Sequence, residues 1–180
     1  MDHPTVNIHT YIHSYILRQR LREANGTAAN QVMWRARGGG VAPMEDTAID
    51  TMGAWLDAIA ADGSGQPLPA KVIADKPQDA VDACWTPSGT RIDDPAEIGA
   101  TGPCTQLYPP GSTPRLQAGQ PLDELALKCA LRPVDPADYG DPTPEQVARL
   151  HAAFPDGVCD YDQPGVGQQP LDGTWQSYGS

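Results

Sequence analysis

Histidine and cysteine are the residues of this chain best suited to chemistry, and their spacing limits what they can do. Among the four histidines, His9 and His13 stand four positions apart, so on a continuous helix they share a face, as zinc-binding pairs do. The stretch between them, Thr10-Tyr11-Ile12, lacks the glutamate of the HExxH protease motif, and no metal ligation is expected. Either histidine reads by default as a surface or capping residue. A catalytic role requires an activated nucleophile and an orienting acid elsewhere. His3 and His151 stand outside this pair.

The four cysteines, Cys84, Cys104, Cys129 and Cys159, are separated by 19, 24 and 29 residues, and none has the short gap of a zinc knuckle. An even number at wide spacing predicts two disulfides, and disulfides persist in oxidising compartments, which predicts a secreted or periplasmic protein. Cys84–Cys104 with Cys129–Cys159 closes the two shortest loops and is the expected pairing of the three that four cysteines allow. The competing reading is four separate buried thiols in a cytosolic protein.

Other chemistry finds little support. No G-x-S-x-G elbow occurs, and Gly63-Ser64-Gly65 and Gly111-Ser112-Thr113 lie in linker-like, proline-flanked sequence. Gly38-Gly39-Gly40 has neither the lysine-serine pair nor the GxGxxG spacing of a phosphate cradle, so it reads as a flexible turn, and no cofactor is expected. Asp156 through Asp162 concentrates acids but departs from the calcium-loop pattern, and reads as a solvated turn. Nothing selects a carboxylate pair for glycoside hydrolysis. Trp85, Tyr108, Tyr139, Tyr161, Trp175 and Tyr178 fit either a carbohydrate platform or, more commonly, small-core packing around disulfides.

The elements that must position these residues fall into two parts. In residues 1–66, Ser14 to Asn25 predicts a helix with Ile12, Ile16 and Leu21 inward and Arg18, Arg20, Arg22 and Glu23 in solvent, ended by Gly26. Gln31 to Arg35 predicts a strand. Ile49, Met52, Trp55, Leu56 and Ile59 form a helical stripe expected to pack on its own core, with Glu45 and Asp46 in the first turn. Residues 67–180 hold 17 of the 19 prolines and 16 acids against 7 bases, a composition that leaves few positions for long helices or central strands. Loops closed by disulfides suit such a thin core. One late helix is well marked: Thr143 as N-cap, Pro144 at the first helical position, Gln146 three residues after the cap, and an apolar stripe of Val147, Leu150 and Phe154. The net charge of −11 argues against nucleic-acid or anionic-membrane partners, and no apolar run is long enough to span a bilayer.

The runs Asn7-Ile8-His9, Arg18-Gln19-Arg20-Leu21, Asn30-Gln31-Val32-Met33-Trp34 and Asp79-Ala80-Val81-Asp82, then Cys84-Trp85, Leu107-Tyr108-Pro109, Lys128-Cys129 and Phe154-Pro155-Asp156-Gly157-Val158-Cys159-Asp160-Tyr161, carry a resemblance over nearly the whole chain. The chain resembles the C-terminal part of a family of large secreted bacterial proteins with a domain-of-unknown-function label. That family is placed beside tannases, feruloyl esterases and 3-hydroxybutyrate-oligomer hydrolases in the α/β-hydrolase superfamily. The resemblance implies an α/β fold, here the C-terminal portion of an α/β-hydrolase-like fold, with a loop-rich, disulfide-stapled extension. It implies a nucleophilic serine in a segment upstream, and a triad histidine late in the fold, a role for which His9 and His13 are placed, with a slight preference for His9. The expected function is that of the C-terminal part of an extracellular tannase-like ester hydrolase, whose partners are the ester substrate and the upstream hydrolase segment. The alternatives are a stand-alone secreted binding or structural module without catalysis, and a short esterase with an unconventional nucleophile acting on polymeric esters.

Overall fold

Three short strands and the helices between them build the first part of the chain. The computed structural model describes residues 11–169. The chain forms two compact units, Met1–Thr113 and Pro114–Ser180. Gln66–Pro67, where the composition changes, lies inside the first unit, because a strand before it pairs with a strand after it.

In the first unit, helix α1 spans Ile12–Asn25 and buries Ile12, Tyr15 and Ile16, which recur at three- and four-residue spacing. It ends at Gly26, whose φ of 71° is the left-handed conformation glycine adopts without steric cost. Arg18 departs from expectation: it is 5% exposed. The reason is Asp82, which lies 64 positions along the chain and meets it in a largely buried ion pair, its own side chain 15% exposed.

Strand β1 (Trp34–Ala36) is shorter and later than the stretch expected from Gln31 to Arg35. Helix α2 (Val41–Ala61) and helix α3 (Leu68–Ala74) then cross over to β2 (Ala83–Trp85), which runs parallel to β1 with Arg35 opposite Cys84. Strand β3 (Arg91–Asp93) returns antiparallel, giving the sheet order β1-β2-β3. The central strand β2 is buried at all three residues.

Gly39 and Gly40 are both required by the packing, since a Cβ at Gly39 would meet the Pro87 carbonyl at 2.7 Å and Gly40 is tighter still. A Cβ at Gly40 would sit 3.0 Å from the Trp85 Cβ and run into the Thr86 carbonyl. The triplet is thus a 3-10 turn pressed against the end of β2 rather than a loose connector.

Helix α2 corrects a second expectation. Trp55 is buried and its indole N–H donates to the Val72 carbonyl at 2.8 Å, but Ile49, Met52 and Leu56 are 71%, 53% and 57% exposed. A 21-residue helix is about 30 Å long. Strands of three residues reach only about 10 Å, so the sheet is too small to cover the stripe. Because α2 begins at Val41, Glu45 and Asp46 also fall beyond its first turn.

Helix α4 (Pro103–Leu107) is held to β2 by the Cys84–Cys104 disulfide, with Cα atoms 5.6 Å apart. Both cysteines are fully buried and pack with Tyr108, against which Tyr11 and Ile92 lie.

The second unit contains a short helix α5 (Pro114–Gln117), strands β4 (Ala130–Arg132) and β5 (Val158–Asp160) paired antiparallel, and helix α6 (Pro144–Ala153). The Cys129–Cys159 disulfide, Cα atoms 5.3 Å apart, ties β5 to the residue just before β4. Its core is thin: among the described residues of this unit only Gln120, Val134 and Gly165 are buried. Polar contacts substitute for apolar burial, including Val166 N–H to the Lys128 carbonyl at 2.7 Å and Arg132 to Asp138 at 2.5 Å.

The start of α6 has the expected capping box. Gln146 N–H donates to the Thr143 hydroxyl at 3.3 Å, and Thr143 N–H donates to the Gln146 side chain at 2.7 Å. Thr143→Ala removes one acceptor from an exposed helix start. It is expected to cost about 1 kcal/mol, seen as faster amide exchange at the first turn of α6.

Candidate functional site

In an open α/β arrangement, ligands bind outside the carboxyl ends of the strands, where helices begin. The first unit has a cavity of about 240 Å³ at that position, between the end of β1 and the start of α2. Trp34, Arg35 and Arg37 line it from β1 and the residue following, and Met44 and Glu45 from α2. Tyr11 and Tyr108 also line it.

The disulfide of this unit positions Tyr108. With α4 tied to β2, the Tyr108 hydroxyl donates to the Trp85 carbonyl, and its own carbonyl accepts from the Tyr11 hydroxyl. The Arg37 guanidinium lies over the Tyr108 ring, 5.6 Å from its centroid. Trp34 is fixed by its indole N–H to the Val81 carbonyl at 2.6 Å and by an edge contact with Trp85 at 5.3 Å between centroids.

Arg35 is the unusual member. It is 6% exposed, and its Nη1 donates to the Tyr15 hydroxyl at 3.0 Å and to the Tyr108 carbonyl at 3.4 Å. Its Nε and Nη2 are buried and have no hydrogen-bond partner, and no described carboxylate lies within ion-pair distance. Burial pushes the Tyr15 phenol up, against the opposing pull of the Arg35 and Arg18 charges.

Two larger concavities differ in kind. One of about 560 Å³ is lined by Arg18, Arg22, Lys76 and Asp82, but Arg18 and Asp82 are already paired. The other, about 500 Å³ in the second unit, is lined by Tyr139, Gln146, Arg149 and Leu150 and has no buried donor left over among the described residues.

Of the two histidines expected to carry catalysis, the structure describes one, and these cavities do not include it. His13 is exposed in the first turn of α1 and lines none of them, and His9 lies outside the described residues. The β1–α2 cavity has no serine, cysteine or histidine in its described lining, so by itself it can bind but offers no nucleophile. No group of three or more histidine, cysteine or acidic side chains converges on a metal-sized site among the described residues.

Of the aromatic residues considered for a platform, Trp85 and Tyr108 are buried, Tyr139 and Tyr161 lie in the second unit, and Trp175 and Tyr178 lie outside the described residues. Buried rings present no flat surface to a polymer.

Arg35 and Arg37 escaped the sequence reading. Their signal was two arginines at strand spacing, at the end of a β-prone run and just before a glycine turn and a helix.

A family model described as a tannase-like family of unknown function (DUF6351) matches residues 1–170. No curated protein and no solved structure matches the chain.

Proposed function

Because the chain belongs to this tannase-like family, we propose that it is part of an ester hydrolase that works outside the cytosol. The family match carries this reading. The parallel β1–β2 pair with its helical crossover is consistent with the C-terminal portion of an α/β-hydrolase fold, and the two disulfides support a secreted or periplasmic setting.

In this proposal the serine nucleophile belongs to a preceding hydrolase segment, and His9, or failing that His13, is the triad base. The imidazole takes the serine proton as the hydroxyl attacks the ester carbonyl, then delivers it to the departing alcohol. Water, activated by the same imidazole, releases the acid from the acyl-enzyme. The second unit braces or caps the site.

Turnover of p-nitrophenyl acetate tests the reading, with the chain alone and with the chain joined to the segment encoded immediately before it. The joined protein should be active, His9→Ala should lose turnover, and His13→Ala should keep it. Equal activity in both variants and the parent would remove the histidine assignment. Activity of the chain alone would favour a short esterase.

A second reading, a secreted binding module without catalysis, is favoured by one observation: the β1–α2 cavity presents aromatic walls and a buried guanidinium without a nucleophile in its described lining. Inactivity of the joined protein would turn the choice toward it.

A further inference from the structure

We propose that the free edge of Arg35 is a carboxylate seat and that the β1–α2 cavity takes a small aromatic monocarboxylic acid. This goes beyond ester hydrolysis and stands whether or not the chain takes part in it.

The argument starts from an imbalance. A buried charge without a counter-ion is strongly unfavourable, and a buried donor without an acceptor loses its hydration with nothing in return. Arg35 has both problems: it is 6% exposed, and Nε and Nη2 have no partner. The contrast within the same unit is Arg18, equally buried, whose Nε, Nη1 and Nη2 all donate, the last two to Asp82. Arg35 is therefore the guanidinium whose anion is still to arrive.

The identity of the two unsatisfied atoms defines the ligand. Nε and Nη2 form one edge of the planar guanidinium, and their N–H bonds point the same way. Such an edge matches the two oxygens of one carboxylate in a bidentate pair. Nη1, on the other edge, is held by the Tyr15 hydroxyl and the Tyr108 carbonyl, which fixes the plane.

The cavity selects the rest of the molecule. Trp34 and Tyr11, the half-buried aromatic side chains among its walls, suit a flat apolar body, and about 240 Å³ suits a single ring rather than an extended one. Glu45 at the same cavity disfavours a second negative charge on the ligand. The fork atoms are sealed from bulk water, although Arg35 itself lines the cavity, so seating an acid on them requires the surrounding side chains to move. Once seated, the pair forms without competing hydration.

The test is isothermal titration calorimetry of the full chain with benzoate and with its neutral isostere benzamide. Benzoate should bind saturably, and benzamide about tenfold more weakly or worse, because it cannot form the charged bidentate pair. Arg35→Lys keeps the charge but loses the fork, and should weaken benzoate at least about tenfold. Circular dichroism establishes that this variant is folded; if it is not, the benzoate-to-benzamide ratio on the parent chain decides. Equal affinity for the two probes, unchanged benzoate affinity in folded Arg35→Lys, or no saturable heat up to about 10 mM benzoate each overturns the proposal.

Discussion

Replacing Cys129 and Cys159 with alanine is expected to unfold the second unit while the first stays folded. The bridge closes a loop with a sequence separation of 30. In the chain-entropy account such a closure contributes roughly 3 to 4 kcal/mol. The second unit has little to set against that loss, since its described buried residues are only Gln120, Val134 and Gly165. The first unit rests on a larger apolar set, including Ile12, Tyr15, Ile16, Met33, Trp55 and Trp85. Removal of its own bridge, with a separation of 20 and a contribution of about 3 kcal/mol, should lower its stability without abolishing its fold.

Access sharpens the contrast. Cys84 and Cys104 are fully buried, whereas Cys129 and Cys159 are half-buried, so mild reductant should open the second bridge first. Hydrogen exchange followed by mass spectrometry provides the measurement. Amides of Ala130–Arg132 and Val158–Asp160 should exchange rapidly in the double variant, with Ala83–Trp85 still protected. Retained protection in both strands would show that the polar contacts of the second unit suffice.

Asp82→Asn should destabilise the first unit by about 3 kcal/mol, the low end of the range for breaking one side of a buried ion pair, because the Asp82 side chain keeps some contact with water. The carboxylate accepts from Arg18 at 2.5 and 2.7 Å, from the Met33 N–H at 2.9 Å and from the Ala96 N–H at 3.0 Å. One side chain thus joins α1, the approach to β1 and the loop after β3. The amide of asparagine cannot accept at both positions, and it leaves Arg18 charged in a site where that residue is 5% exposed.

The same group sets an acid limit. Burial raises the Asp82 pKa, but hydrogen bonds from Arg18 and from the Ala96 and Met33 amides, with the Arg18 charge, outweigh it and hold the carboxyl below its usual range. A carboxyl whose pKa falls on folding contributes stability above the unfolded value, about 4, and loses it as pH drops through the lower folded value. Urea midpoints measured against pH should therefore differ between the parent and Asp82→Asn at neutral pH and converge below about pH 4. A constant gap across that range would assign the cost to packing instead of charge.

Much of the local structure was legible in the amino-acid order. Asn25-Gly26 marked the end of α1, and Thr143-Pro144 with Gln146 marked the start of α6, because caps are decided by a few adjacent residues. The even number and wide spacing of the cysteines implied two disulfides, and the structure joins nearest neighbours as the shortest loops favour. The long runs from Asn7 to Tyr161 carried the family resemblance, and the match over residues 1–170 establishes the tannase-like relation.

What tertiary structure alone decided concerns charge and cover. Arg18 and Arg35 differ little from Arg20 and Arg37 in type or neighbourhood, yet the first two are buried and the others are not. One is paired by a residue 64 positions away, and the other is left with an unsatisfied edge. The apolar stripe of α2 looked like core until the sheet beneath it proved three residues deep. Helix ends and crosslinks follow from neighbours and from a countable set of sulfur atoms. The burial of a guanidinium depends on distant segments meeting around it, and no window of adjacent residues contains that information.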